Sequence, residues 1–338
     1  MKHLWRMVKM MTMGTFFVML LVAAVLYAAV TIWKTPQAKE IEIEAGMNVP
    51  AIAERLAEEQ VIRTPKLFSL WVRLLGYDGK LRAGTYEFEQ GLTLHQVVEK
   101  LKLGEVKVLT FTVIEGWNLK NIAASLNEKE YIRDRMLADE VLKLAEDPAF
   151  LASLGLTNVP SLEGYIFPET YRVLRPKTGE DILRQLFGAF EKEYIPNFAV
   201  QARLLGLTNH QVLTLASIVE KEAGSDEERP IVASVFWNRL KLKMPLQSDP
   251  TVIYGLKEFQ GNLTRTDLQN PHLYNTYVHP GLPPGPICSP SRASIEAVLN
   301  PAQTDYLYFV SKNDGTHQFS ADFADHTRAV MEFQPRRK

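Results

Sequence analysis

The apolar positions at the start of the chain form one unbroken run. Met10 to Trp33 contains no charged residue, and Lys9 and Lys34 bracket it. A helix over that run reaches about 36 Å, enough to cross the hydrocarbon core of a bilayer with some tilt. Lys2, Arg6 and Lys9 precede it, and an acidic stretch begins at Glu40. This charge bias predicts an N-terminus in the cytoplasm and a C-terminus outside it. A cleaved signal peptide competes with the anchor reading, since Ala23, Ala24, Ala28 and Ala29 provide small residues for cleavage. Its apolar region is normally about 7–15 residues, shorter than this run. A buried core helix is the third reading. No second long apolar run follows, so residues from about 36 onward are expected to be soluble and outside the cytoplasm.

A second pattern recurs beyond the run. Ile41-Glu42-Ile43-Glu44-Ala45-Gly46 leads into Ile52, Ala53, Leu56 and Ile62. Val113-Ile114-Glu115-Gly116 leads, at one common offset, into Ile122, Ala123, Leu126 and Ile132. Tyr86-Glu87-Phe88-Glu89-Gln90-Gly91, followed by Val97 and Leu101, is a looser copy. Alternation before the glycine predicts a strand with one buried face, and the glycine permits a tight turn. The apolar spacing after it predicts an amphipathic helix. With a further helix over Pro65–Leu75, these elements predict a small α+β module at 38–105.

The rest of the chain reads as mostly helical. Helices are expected over 133–157, 179–195, 208–223 and 225–243, with a closing helix over 321–333. Tyr306–Val310 reads as a buried strand. Residues 245–292 are rich in Pro, Asn, Gly and Tyr with little periodicity, and a loop of that length is usually functional or disordered. The fold class expected is α+β in three segments. These are a cytoplasmic stub and transmembrane anchor at 1–35, the module at 38–105, and a mostly helical α+β domain at 106–338.

Composition narrows the function classes. Of 338 residues, 46% are apolar and 23% charged, and the formal net charge is −1. A near-neutral chain does not hold nucleic acid by bulk charge. Cys288 is the single cysteine, so an internal disulfide and a Cys-rich zinc site are both excluded. His272, His279, His317 and His326 are scattered without metal-ligand spacing, and no phosphate-binding glycine loop, dinucleotide fingerprint or Gly-x-Ser-x-Gly occurs. No metal or cofactor is expected.

The segment richest in chemistry runs from Leu207 to Gly224. Thr208 and Gln211 predict a capping box, and Gly224 predicts a helix stop. The helix is apolar nearly all round from Val212 to Val219, so it should be central. Glu220 falls in its last turn. Burial and the negative end of the helix dipole would both raise its pKa, as a general acid requires. Lys221 opposes this, and a solvated helix-end glutamate is the plainer alternative. Glu222 is the local rival; Glu163 and Asp249 are rivals elsewhere. The next helix is expected to open with a capping box of Ser225 and Glu228. Downstream, Gln247, Asp249, Tyr254, Asn275 and Tyr277 combine amide, carboxyl and phenol groups that suit a sugar, although Ser-Asp-Pro and Asn-Pro are also ordinary turn formers.

Five ordered blocks carry a family resemblance. They are Ser161–Tyr165, Ala216–Glu222, Ala233–Leu240, Leu246–Gly255, and Asn275–Tyr277 followed by Gly281–Ile287. In these the chain resembles the endolytic murein transglycosylase family, called YceG-like or MltG. The resemblance implies that 38–105 is the family's LysM-like module, a glycan-binding type, and that 106–338 is the catalytic domain. It implies a membrane-anchored lytic transglycosylase that cuts the β-1,4 bond between N-acetylmuramic acid and N-acetylglucosamine in nascent strands. The products would carry 1,6-anhydro ends.

The single catalytic glutamate of the family matches Glu220, and one carboxyl can serve as acid and then base. Glu163, Asn238, Gln247, Asp249, Tyr254, Asn275 and Tyr277 are then expected to bind or support the substrate. Expected partners are peptidoglycan glycan strands, the cytoplasmic (inner) membrane with the catalytic domain on its periplasmic side, and peptidoglycan synthases. Cys288-Ser289-Pro290-Ser291 and His326-Thr327 depart from the family pattern. The second class of function is a non-catalytic glycan-binding scaffold of the wall-synthesis machinery, which the anchor and module fit equally well.

Overall fold

The computed structural model describes residues 2–106, 108–133, 136–174, 176, 178–259 and 261–334. The chain divides into two compact units, Met1–Leu109 and Thr110–Lys338.

The first unit begins with α1 (Lys2–Ile32). Its Thr15–Ile32 stretch is long and apolar enough to cross a membrane, and almost none of it is buried. The last turn differs, because Val30 is fully buried in the core of the module that follows. That module runs β1 (Lys39–Ile43), α2 (Val49–Glu58), α3 (Pro65–Leu74), β2 (Gly84–Phe88) and α4 (Leu94–Leu103). β1 and β2 pair antiparallel, with Ile41 opposite Tyr86. The expected alternation is present: Ile41 and Ile43 are buried while Glu40 and Glu42 are exposed. Helical residues Ile52, Leu56, Phe68, Val72, Val98 and Leu101 complete the core. The backbone after α1 is tied to the module, since the Thr35 amide donates to the Leu92 carbonyl and Gly91 donates to Thr35.

The second unit begins in β3 (Val108–Thr112), which forms a two-stranded sheet with β4 (Thr170–Leu174). Between them lie α5 (Leu119–Asn127), α6 (Glu130–Arg133), α7 (Leu137–Leu144) and α8 (Pro148–Ser153). The helix expected over 133–157 is thus divided, because Asp147 caps a new helix at Pro148; positions 134 and 135 lie outside the described residues. There follow α9 (Gly179–Asn197), α10 (Ala199–Leu204), α11 (Asn209–Glu222), α12 (Arg229–Lys241), α13 (Asp249–Gly255), α14 (Arg265–Leu268) and α15 (Arg292–Leu299). A hairpin of β5 (Tyr308–Ser311) and β6 (His317–Ser320) leads into α16 (Phe323–Phe333).

The repeated strand–glycine–helix pattern has a common geometry. Gly46, Gly91 and Gly116 all have positive φ. Two residues on, Asn48, Thr93 and Asn118 each cap the following helix by accepting an amide hydrogen bond. In the second copy, however, the strand ends at Thr112, before the expected Val113–Glu115.

In α11 the expected capping box of Thr208 and Gln211 is formed, and Val212 to Val219 are all buried. Gly224 does not end the helix by a left-handed turn. A Cβ there would collide with the Gly315 carbonyl oxygen, so close backbone approach explains the glycine. The capping box expected at Ser225 and Glu228 is not formed: α12 starts at Arg229 without a side-chain cap. Glu228 instead accepts from the backbone amide of His317 and bonds its ring nitrogen, each at 2.7 Å.

Candidate active site

Glu220 does not have the surroundings expected of an acid. Its side chain is only 5% exposed. Oε1 accepts from the Arg229 guanidinium at 3.0 Å. Oε2 accepts from the Ser291 amide at 2.9 Å, the Ser291 hydroxyl at 2.5 Å and the Ser294 hydroxyl at 2.7 Å. Burial pushes the carboxyl up, but the two serines and Arg229 outweigh it, and the pKa lies below the ordinary value. The expected raised pKa is thereby corrected, because donors from α12 and the start of α15 hold this group ionised. Arg229 also donates to the Ser294 hydroxyl and reaches Asp226.

Two residues on, Glu222 has the opposite character. It ends α11 and lines a cavity of about 430 Å³. Burial pushes its carboxyl up to about 7, Ser248 and Arg239 pull it down, and the negative charge of Asp249 adds to the rise. The Ser248 hydroxyl donates to its Oε1 at 2.6 Å. Gln247, Asp249 and Tyr277 share the cavity wall with Tyr308, Phe323 and His326 from the C-terminal hairpin and α16. The Tyr277 hydroxyl donates to Asp249 at 2.7 Å. Arg239 donates to the Leu307 and Leu246 carbonyls, each at 2.7 Å, and its guanidinium packs over the Tyr308 ring. His326 stacks on Tyr308, and its buried Nδ1 has no hydrogen-bond partner. Burial keeps this imidazole below its ordinary pKa.

The remaining sequence candidates separate into two groups. Gln247, Asp249 and Tyr277 come together around Glu222. Glu163 and Tyr254 come together with each other, the Tyr254 hydroxyl donating to the Glu163 carboxyl at 3.2 Å. Glu163 also accepts from the Leu119 amide at the start of α5. Burial pushes Glu163 up to about 7 against these donors.

Two of the three amides expected at the substrate are committed to backbone instead. Asn238 donates to the Thr304 and Tyr306 carbonyls. Asn275, 1% exposed, donates to the Asp267, Leu268 and Asn270 carbonyls. Both side chains pin loops, and for Asn275 this agrees with the turn reading of its segment.

Glu163 and Glu222 carry a stability consequence. Each binds its proton more tightly folded than unfolded, where a glutamate titrates near 4.3. The folded chain therefore holds more protons between about pH 4.3 and about 7, and its stability falls as pH rises through that window. Glu163→Gln, neutral in both states, is expected to flatten this fall. Melting temperatures measured across the window check it, and an unchanged slope would remove Glu163 from the account.

The Cys288 thiol is buried and pushed well up by that burial, which makes it a poor nucleophile. Among the described residues no cluster of His, Cys, Asp or Glu forms a metal site. The cavity thus offers a proton-bearing carboxyl, a second acidic group and aromatic surfaces, a set suited to acid/base chemistry on a carbohydrate.

Known proteins share this chain's sequence over most of its length. An endolytic murein transglycosylase of Bacillus subtilis (strain 168) is 36% identical over 309 residues, covering 87% of this chain and 84% of that protein. An endolytic murein transglycosylase of Streptococcus pneumoniae serotype 2 (strain D39 / NCTC 7466) is 29% identical over 322 residues, covering 86% of this chain and 58% of that longer protein. A crystal structure of a YceG-like protein from Listeria monocytogenes superposes with a TM-score of 0.59 at 32% identity, covering 86% of this chain and 98% of that one. The model of the YceG-like family matches residues 41–332. With that match spanning the module, the cavity and the Glu220–Glu222 turn alike, the chain belongs to the YceG-like family.

Proposed function

We propose that the chain is a membrane-anchored endolytic lytic transglycosylase of peptidoglycan, with Glu222 in place of Glu220 as its acid/base. Family membership and the names of its relatives support the activity. The observation that carries the residue assignment is geometric: Glu222 lines the cavity beside Asp249, whereas both carboxylate oxygens of Glu220 are taken by Arg229, Ser291 and Ser294.

The chemistry needs one carboxyl in two roles. Protonated Glu222 gives its proton to the glycosidic oxygen as the bond from C1 of N-acetylmuramic acid breaks. The resulting carboxylate then takes the proton of the C6 hydroxyl as that oxygen bonds to C1. A 1,6-anhydro ring forms, no water is consumed, and Glu222 ends protonated. The negative charge of Asp249 complements the oxocarbenium-like transition state and supports the raised pKa of its neighbour. Tyr308 and Phe323 offer ring faces for sugar packing. Glu163, Tyr254, Asn238 and Asn275 support the fold of this region, and Gln247 and Tyr277 border the substrate.

The α1 helix is the anchor in this reading, with its N-terminus in the cytoplasm and the enzyme on the periplasmic side. The β-α-α-β order of β1, α2, α3 and β2 supports a LysM-like reading of the first unit. Peptidoglycan synthases are the expected neighbours, because nascent strands are their product.

Product analysis tests the proposal. The full chain is incubated with uncrosslinked glycan strands and the fragments are weighed by mass spectrometry. Anhydro ends are the expected result. Reducing ends would mean hydrolysis, with Asp249 as the second carboxylate. Folded, glycan-binding protein that releases no fragments would favour the scaffold reading.

A further inference from the structure

The first unit holds a second cavity, remote in character from the acidic one. It encloses about 420 Å³ and is lined by Ala29, Ile32, Trp33, Arg63, Thr64, Leu67 and Leu94. That volume lies within the range of ordinary small-ligand sites. Three of these residues belong to the end of α1 or follow it directly, where the exposed apolar surface of the helix meets the module. Ile32 is 77% exposed, whereas Val30, half a turn away, is fully buried.

The cavity's chemistry is that of a lipid headgroup region. Ile32, Leu67 and Leu94 give the cavity an apolar wall beside the exposed end of α1. Trp33, at the end of the apolar run, is of the residue type that favours a membrane interface. Arg63 supplies the one charge in the lining, and it is exposed and, among the described residues, without an ion pair. No acidic residue lines the cavity to compete for it. A guanidinium beside an apolar slot matches a phosphodiester carrying an acyl chain.

We infer that this cavity binds one acidic phospholipid of the outer leaflet, with its phosphate on Arg63 and the upper part of a chain against Ile32, Leu67 and Leu94. The bound lipid would fill the gap between the last turn of α1 and the start of α3. The inference rests on the anchor reading of α1 and is independent of the glycan chemistry.

The full chain, reconstituted in vesicles of equal phosphatidylglycerol and phosphatidylcholine and re-extracted in mild detergent, is examined by native mass spectrometry. Wild type is expected to retain one phosphatidylglycerol in preference to phosphatidylcholine. Arg63→Gln should lower that retention about tenfold, the size of one lost charge-assisted contact. Leu67→Gln should lower retention of both lipids. Arg55→Gln, an exposed arginine of the same module paired with Glu58 and Glu59, should change nothing. Equal retention of the two lipids, or full retention in Arg63→Gln with an unchanged melting temperature, overturns the inference. The same spectra report the mass of the chain. A chain shortened by signal cleavage sinks the anchor reading and the lipid site together; an intact chain without lipid sinks the site alone.

Discussion

Glu222→Gln lowers glycan cleavage by about 10²–10⁴-fold, the usual loss on removing a general acid, and leaves glycan binding in place. Glu220→Gln keeps the chemistry within reach of wild type and loses stability. The contrast follows from where the donors lie. Four hydrogen bonds surround Glu220 and favour its charged form, so it has no proton to give near neutral pH. Glu222 has burial and the negative charge of Asp249 on the side of its neutral form, and its pKa is about 7. Activity that needs this proton falls as pH rises past about 7. Asp249→Asn removes one cause of the rise, so the alkaline limb should move to lower pH. Rates and pH profiles of the three variants, each checked for folding by melting temperature, test the assignment. Full activity in Glu222→Gln with none in a folded Glu220→Gln would return the acid role to Glu220.

Arg229→Leu destabilises the second unit by about 3–5 kcal/mol, the cost of leaving a buried charge without its partner. Glu220 then keeps its serine donors but loses the one full countercharge, at a site where both side chains are nearly inaccessible. The loss joins three elements at once, since Glu220 ends α11, Arg229 begins α12, and Ser291 and Ser294 begin α15. Adding Glu220→Leu should recover part of the stability, because the orphaned carboxylate goes with it. Denaturant unfolding of the single and double variants measures the coupling.

The pH dependence carries its own sign. Glu220 has a folded pKa below the unfolded value near 4.3, so its contribution is present above that value and is lost as pH falls through the folded one. Glu220→Gln should therefore soften acid unfolding. An Arg229→Leu chain as stable as wild type would show that the network does not hold these helices together.

Much of the fold was legible because its causes are local. The uncharged run at Met10–Trp33 needs only its own residues to be recognised. The strand–glycine–helix units declare themselves through alternation, a glycine with positive φ and a cap two residues on. Thr208 and Gln211 mark the start of α11 for the same reason.

The site was harder to read because its electrostatics are not local. The charge state of Glu220 depends on Ser291 and Ser294, more than sixty residues away in the chain, and Ser291 lies in a stretch that departs from the family pattern. Asn238 and Asn275 look like sugar-binding amides in a list of residue types, yet backbone carbonyls take their donors. β6 was not anticipated, as His317-Gln318-Phe319-Ser320 has too little apolar alternation to announce a strand. Glu228 has the sequence spacing of a cap, and only the hairpin that returns His317 to it reveals its partner.

The Glu222 cavity is also assembled from distant parts of the chain. Glu222 ends a helix in the middle of the chain, but Tyr308, Phe323, His326 and Gln334, which share its cavity, arrive about a hundred residues later. A chain that stops after α14 has the Glu222 carboxyl without the opposing wall of its cavity. A copy truncated before the C-terminal hairpin therefore has an incomplete cavity, even with α11 and Glu222 in place. For the same reason a tag fused close behind residue 334 is a poor choice for following this protein, because Gln334 itself lines the cavity.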